Sequence, residues 1–385
     1  MDFSFSVEQE SLRNRWKRFV DEEVRPRAAE ADKNHRLDPE LIKMAQELGL
    51  FGTFYPREYG GAGLGFVGLC LMLEELARGC GSFALMFAAH QGIGAMGIYL
   101  EGTAEQKKKY LVPLVKGEKI SACAVTEPDS GSDITNLKTR ADFQGDHFVI
   151  NGTKRFITNG DIADIIVMFA STGKDKSGRS RMTSFILEKD FPGFSVRKIE
   201  DKMGITASGT AELVFNNMIV PAENVLGKVG EGYKVARKTL ELGGRVTLGA
   251  MCLGAAKELI DLSLAHAKKR VQFGKPIQNF QTVQGMLGEM ATRTFAMESV
   301  VYRVARLLDR GEPSTMEAAI CKLFSSEAID VIAELAMRIH GGTGCLAEYP
   351  IERFYRDARI NRLYEGTSEI QKIIIAASLI KKGVY

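Results

Sequence analysis

A chain of 385 residues, 45% hydrophobic and 26% charged, is long enough for roughly two to three domains and for a core that needs no covalent staples. Its 51 basic and 48 acidic side chains leave a formal charge of +3, which offers no footprint for nucleic acid; the one basic run, Lys107-Lys108-Lys109, reads as a solvated helix face. The six cysteines, at 70, 80, 123, 252, 321 and 345, form no C-x-x-C pair and stand at no zinc spacing from a histidine, so they read as reduced thiols and no metal is expected.

The first third reads helical. Met1-Asp2-Phe3-Ser4 lacks the basic and apolar regions of a signal peptide, and no stretch of about 18 apolar residues is expected, so nothing spans a bilayer and a cytoplasmic chain, or the mature form of an organellar one, is expected. Ser6 with Gln9 makes a capping-box pattern, and that helix is predicted to stop near Pro26. Asp38-Pro39-Glu40 is an N-cap followed by proline at the first helical position, with Gly49 ending the helix; Thr103 with Gln106 starts another. Gly92-Ile93-Gly94-Ala95-Met96-Gly97 matches G-x-G-x-x-G. The run before it, Phe83–Gln91, has no β-branched residue and reads as helix, whereas a dinucleotide fingerprint follows a strand, so the glycines are read as close helix packing.

The period changes in the middle third. The apolar run Ala122–Val125 leads into the polar loop Thr126–Asp133, whose N–H groups and hydroxyls suit an anion or a heteroaromatic ring; by spacing alone it is an ordinary loop. Residues 146–150 and 155–158 are short extended runs around the turn signal Asn151-Gly152. Ile165–Ala170, Thr183–Leu187, Phe194–Val196 and Glu212–Phe215 follow, and the set suits a β-barrel or sandwich.

From about residue 232 the chain reads helical again, in four long segments with breaks near Gly274-Lys275-Pro276, Gly311-Glu312-Pro313 and Gly341-Gly342. Ser314 and Glu317 form a capping-box pattern after Pro313. The segment Val246 to Ala267 is apolar over most of its surface and should be central in a bundle. The expected domains are a helical one over 1–121, a β domain over 122–231 and a four-helix bundle over 232–385.

Several segments together carry a family resemblance: Ala124-Val125-Thr126-Glu127-Pro128-Asp129-Ser130-Gly131-Ser132-Asp133, Phe156-Ile157-Thr158-Asn159-Gly160, Arg270-Val271-Gln272-Phe273-Gly274-Lys275-Pro276 with Phe280-Gln281, Gly341-Gly342-Thr343-Gly344, and Arg362-Leu363-Tyr364-Glu365-Gly366-Thr367-Ser368-Glu369-Ile370. Met203-Gly204-Ile205 with Glu212, and Val220 to Gly227, add to it. The chain resembles the acyl-CoA dehydrogenases along essentially its whole length. Ala89-His90-Gln91 and Met203–Thr206 look most like the very-long-chain branch, without that branch's additional C-terminal domain. Three positions depart from the pattern: Asn136 stands for a small residue, Phe156 for tryptophan and Arg338 for glutamine.

The resemblance implies a mainly α fold with a central β domain and FAD as cofactor. It places Val125 and Thr126 on the flavin ring, Ser132 on flavin and acyl-CoA, Thr158 near flavin N5 and Phe156 over a ring face. Arg270, Gln272, Phe273, Gln281, Arg338, Gly341 and Gly342 would hold the pyrophosphate and ADP half across a subunit interface of a homotetramer. Thr367 and Glu369 would also contact the cofactor. Glu365 would be the catalytic base; relatives that carry it elsewhere have it just before the arginine corresponding to Arg245, where this chain has Gly244. Arg245 would bind the CoA portion and orient the Glu365 region, with Tyr364 and Gly366 beside the substrate and Leu85 and Ala89 in the acyl tunnel.

The implied chemistry takes a proton from Cα and a hydride from Cβ of an acyl thioester, giving the trans-2-enoyl-CoA of fatty-acid β-oxidation. The hydride goes to flavin N5 and the electrons to an electron-transferring flavoprotein. Hydrogen bonds to the thioester carbonyl, from the Glu365 N–H and a ribityl hydroxyl, would stabilise the enolate. An acyl-CoA oxidase would share fold and base but reduce oxygen; a catalytically idle assembly scaffold is opposed by the joint presence of Glu365, Arg245, Thr126 and Thr158. The tunnel segment has no arginine for a second carboxylate, so neutral tails of medium to long chain are expected, with Phe87 as the side chain that would end the tunnel early.

Overall fold

The computed structural model describes residues 4–176, 178–312 and 314–382; Pro313 and Met1 to Phe3, named above, lie outside them. The first helix, Val7–Phe19, carries both arms of the Ser6–Gln9 capping box. It does not stop at Pro26. A wide π turn, Val20–Val24, leads straight into Arg25–Asn34, with the proline in its first turn. A π turn resets the hydrogen-bond ladder, so the N–H that proline lacks falls where a fresh first turn needs none. Asp38 caps Pro39–Glu47, Gly49 follows in a left-handed conformation, and the Thr103–Gln106 capping box forms.

Gly65–Gly79 and the α and π turns of Gly81–Glu101 make the buried centre of this part. The expectation of no long apolar stretch is corrected here: Gly81–Glu101, with mean hydropathy 1.3, is long and apolar enough to cross a membrane. Of its apolar window, 83% is buried inside the protein, so the core uses that surface. The glycines within it do serve packing. A Cβ built on Gly243 would stand 1.6 Å from the Gly92 carbonyl oxygen, so the two backbones touch.

The middle of the chain forms an eight-stranded sheet, ordered β6-β7-β3-β2-β4-β5-β8, with β1 parallel to β4. The strands are β1 (Ser121–Ala124), β2 (Arg140–Phe143), β3 (His147–Thr158), β4 (Ile165–Lys174), β5 (Ser180–Glu188), β6 (Phe194–Ile199), β7 (Thr210–Pro221) and β8 (Val225–Leu226). Phe148, Ile150, Ile166, Met168, Phe185 and Leu213 pack on one another, so the sheet curls over its own core. The other face of β4, Ile165, Val167 and Phe169, belongs to the helical core, which explains why β4 is apolar without alternation. Asn151-Gly152 is not a turn. β3 runs through it with a bulge, because Thr139 crosses so closely that a Cβ on Gly152 would be 2.5 Å from its Oγ1.

The last part is a helical bundle. Arg245–Lys269 is central, packed against Gly65–Gly79, Gln281–Asp309 and Thr315–His340, and Ser368–Lys382 lies on Thr315–His340. The Ser314–Glu317 capping box does not form. Ser314 is at φ −138, ψ 25 and its hydroxyl is buried without a partner, so its side chain is not turned toward the first-turn N–H groups.

Candidate active site

Glu365 sits in the connection between the 3-10 turn Arg359–Arg362 and the helix Ser368–Lys382. Glu365 and Gly366 are both left-handed, with φ 56 and φ 89. For glutamate that conformation is strained by about 1–3 kcal/mol and persists only if its surroundings fix it. They do: the Gln371 amide donates to the carbonyls of Glu365 (3.1 Å) and Gly366 (3.0 Å), and the Tyr364 hydroxyl donates to Asn361 Oδ1 at 2.8 Å. The two reversed residues turn the carboxylate back into the bundle. There it meets Gly244, where a Cβ would lie 2.9 Å from Glu365 Oε2. The glycine that lacks the alternative base also makes room for this one.

Glu365 Oε2 is enclosed with no hydrogen-bond partner. Burial pushes the carboxyl up to about 8, against the pull of Lys322 and then Arg245. Arg245, 6% exposed, keeps Nε and Nη1 unpartnered, and burial lowers its proton affinity. A buried acid and a buried cation that influence one another without a hydrogen bond between them mark a candidate functional site.

A second cluster lies where β1 and β3 end. Val125, Thr126 and Thr158 are half-buried, and the Arg155 N–H donates to the Thr126 carbonyl at 2.9 Å, which fastens the loop to β3. A bulge between Lys154 and Ile157 puts Phe156 at φ 60 and leaves its ring 55% exposed, with the Arg155 guanidinium 4.7 Å from the ring centroid. Ser132 is exposed on the loop.

Beneath this loop lies a buried ion pair that the sequence reading missed. Lys154 Nζ is 2.8 Å from Glu127 Oε1, with side chains 0% and 2% exposed. Glu127 also accepts the N–H groups of Lys138 (2.6 Å) and Thr139 (3.0 Å), while Lys154 donates to the Val125 carbonyl at 2.8 Å. Gln371 and Lys322 were missed as well. The residues around Lys154, Asn151-Gly152-Thr153 and Arg155, are polar and give no signal that it is buried.

Arg270, Gln272, Phe273 and Gln281 are exposed on the hairpin of Val271–Gln272 and Lys275–Pro276 and at the helix start after it; Phe273 is 94% exposed. Arg338, Gly341 and Gly342 are exposed at the end of Thr315–His340. His340 stacks on His266 at 4.4 Å, which draws these two groups to one end of the bundle. Thr367 Oγ1 accepts the Ile370 N–H, and Glu369 is exposed in the same first turn. The hairpin and Arg245 stand at opposite ends of the 25-residue helix Arg245–Lys269, roughly 37 Å apart at 1.5 Å per residue. Leu85 and Ala89 are buried, and Phe87 is packed at 4.8 Å from the Phe51 ring and 5.1 Å from Phe83. A separate cleft of about 1130 Å³, lined by Lys138, Arg140, Ser171, Thr172, Lys174 and Lys228 among others, lies on the β domain and is not the Glu365 site.

Three family models match the chain: "Acyl-CoA dehydrogenase, N-terminal domain" over 6–118, "middle domain" over 122–218 and "C-terminal domain" over 230–380. The chain is 44% identical to an acryloyl-CoA reductase (NADH) of Anaerotignum propionicum, over 99% of this chain and 97% of the relative. It is 43% identical to a short-chain-specific acyl-CoA dehydrogenase of Clostridium acetobutylicum, over 99% and 100%. The structure of butyryl-CoA dehydrogenase from Megasphaera elsdenii superposes with a TM-score of 0.95 at 39% identity, covering 99% of this chain and 100% of that one.

Proposed function

The chain belongs to the acyl-CoA dehydrogenase family, and we propose that it removes two hydrogens from Cα and Cβ of an uncharged, short acyl-CoA thioester with Glu365 as the base. The observation that carries this is the enclosed, unpartnered Glu365 carboxylate, held in a left-handed turn opposite Gly244. A thioester α-proton is too weakly acidic for a carboxylate in water. Burial raises the proton affinity of Glu365, and an acyl chain that fills the remaining space removes what water is left, so the ionised carboxylate becomes a stronger base. Glu365 takes the proton at Cα, and Arg245 keeps a cation beside the site as negative charge develops on the thioester oxygen.

FAD fits the residues present. An exposed Phe156 ring on a bulge and the half-buried polar edge of Val125, Thr126 and Thr158 suit a planar heteroaromatic group, with Ser132 between it and the substrate. When bound, FAD would supply the acceptor for the Cβ hydride, with an electron-transferring flavoprotein as the onward acceptor of the electrons. Arg270 with its planar fork, together with Gln272, Phe273, Gln281, Arg338, Gly341 and Gly342, would grip the pyrophosphate and ADP half. Those residues lie a helix length from Glu365 of their own chain, which supports their serving the cofactor of a second copy in a homotetramer. Thr367 and Glu369 complete the contacts.

This arrangement couples cofactor retention to assembly. Arg270→Ala is expected to lower both the bound flavin per chain and the tetramer fraction in light scattering; a fully flavinated monomer would refute the cross-subunit assignment.

The short tail proposed here, in place of the medium-to-long one expected from the sequence, is supported by the relatives named short-chain and butyryl-CoA dehydrogenases. Phe87 is packed between Phe51 and Phe83, and this ring cluster two residues before Ala89 supports a tunnel that ends early. Affinity is expected to grow by about 0.8 kcal/mol per methylene only until that floor is reached. Anaerobic flavin bleaching across an acyl-CoA panel should peak at butyryl- to hexanoyl-CoA. A peak at palmitoyl-CoA would show that the ring cluster opens, and a peak at glutaryl-CoA would overturn the uncharged tail.

One observation favours a second reading. With its proton affinity near 8, Glu365 is mostly protonated at neutral pH and is ready to donate to Cα of an enoyl thioester. The same site would then reduce 2-enoyl-CoA. The ratio of forward to reverse turnover at pH 7, measured with one electron carrier poised in both directions, separates the two; rapid peroxide formation would mark an oxidase instead.

A further inference from the structure

Lys322 is a charge with no assigned role. It lies on Thr315–His340 at 0% exposure, and its Nζ is buried without a hydrogen-bond partner. An ammonium in that state is unfavourable by several kcal/mol unless a nearby charge offsets it, and a methionine would fill the same space without that penalty. The seam it occupies is tight. Gly249 on Arg245–Lys269 lets Thr315–His340 approach so closely that a Cβ there would be 2.7 Å from Cys321 Sγ and 3.3 Å from Ser325 Oγ. Lys322, the residue after Cys321, lies on a helix that packs against both Arg245–Lys269 and Ser368–Lys382, the helix that follows the Glu365 turn. Among the described residues, the buried charged atoms without partners are those of Lys322, Arg245, Glu365, Glu317 and Asp161, and the first three share this site.

We propose that Lys322 is the internal counter-charge of Glu365, a positioning residue that favours the ionised carboxylate against the cost of its burial; this rests on the reading of Glu365 as the base. The groups facing Lys322 are Glu365 and Glu369 from the turn and the helix after it, and Cys252 and Arg245 from the central helix. Glu365 is faced in turn by Lys322 and Arg245, and its charge is felt by Cys123 on β1 and by Tyr364. Burial pushes the Cys123 thiol up to about 12 and holds the Cys252 and Tyr364 groups neutral, and Glu369 is exposed. Arg245 is faced more strongly by Glu241, itself paired with Arg237, than by Glu365, so Lys322 and Arg245 stand against the two carboxylates Glu365 and Glu241. Lys322 is the stronger influence on Glu365, ahead of Arg245. Burial brings Lys322 itself down to about 8, the region where Glu365 titrates, so the two groups titrate as a coupled pair.

Removing the ammonium and keeping its volume tests this. In Lys322→Met, the pH at which kcat/KM for flavin reduction rises is expected to move up by one unit or more, with the high-pH plateau retained. Below that limb the rate falls about tenfold per unit. Lys322→Arg should restore the limb. A readout independent of turnover is the infrared band of the protonated carboxyl, identified by its loss in Glu365→Gln; in Lys322→Met it should persist to higher pH. Lys322→Gln covers the case in which the methionine variant does not fold. A lowered plateau with an unmoved limb and an unmoved carboxyl band would mean that Lys322 only packs, and the proposal falls. If instead Glu365→Gln still reduces flavin, the base assignment fails, and the infrared titration still reports whether the two charges are coupled.

Discussion

Glu365→Gln should lose anaerobic flavin bleaching by acyl-CoA by a factor of roughly 10²–10⁴ or more, while the protein stays yellow and still binds acyl-CoA. The amide is nearly isosteric, so it fits against Gly244 and keeps the left-handed turn fixed by Gln371. It cannot accept a proton from Cα. The loss therefore belongs in kcat, with little change in the dissociation constant of an unreactive acyl-CoA analogue. Gly244→Ala approaches the same atoms from the other side: its Cβ would press on Oε2 at 2.9 Å and misplace a base that is otherwise intact.

The pH dependence follows from the direction of the shift. Burial raises Glu365 to about 8, so the free enzyme holds it protonated below that value and ionised above it. For dehydrogenation kcat/KM should rise through about pH 8 and level off beyond. For enoyl reduction the same group must be protonated, and the limb should run the other way. Near-normal bleaching in Glu365→Gln, or a profile flat from pH 6 to 9, would falsify the assignment.

What was legible in the sequence is local. Caps at Ser6, Asp38 and Thr103 are short-range chemistry, and they form as written. The all-apolar run of β4 stood out because both its faces are buried. The errors arose where distant contacts overrule a local signal. Asn151-Gly152 has turn chemistry, but β2 and β7 flank the strand there and hold it extended. Pro26 is a helix breaker, but a π turn absorbs it. Glu365 could be singled out by its motif, yet its properties could not. Gly244, Arg245 and Lys322 enclose it from more than 40 positions upstream, and Gln371 pins its turn through hydrogen bonds that no spacing rule announces.

Lys154→Met should be the most damaging substitution outside the Glu365 site. Lys154 and Glu127 are both withdrawn from water, and the bare carboxylate left behind would lose its counter-ion while keeping only the two backbone N–H groups of Lys138 and Thr139. Breaking a buried pair from one side typically destabilises by about 3–5 kcal/mol. The second link, from Nζ to the Val125 carbonyl, would go at the same time, so the strand end that leads into Thr126 would lose one of its ties to β3 and keep the Arg155 N–H bond to the Thr126 carbonyl. Two effects are therefore expected, a lower unfolding midpoint and weaker flavin retention, and a second substitution separates them. Adding Glu127→Gln removes the stranded charge and should recover much of the stability. It cannot restore the bond to Val125, so flavin affinity should remain low in the double variant. A single variant as stable as the parent would show that the pair contributes nothing net. A double variant that regains both properties would show that the carboxylate alone, rather than the tie to Val125, governs the loop.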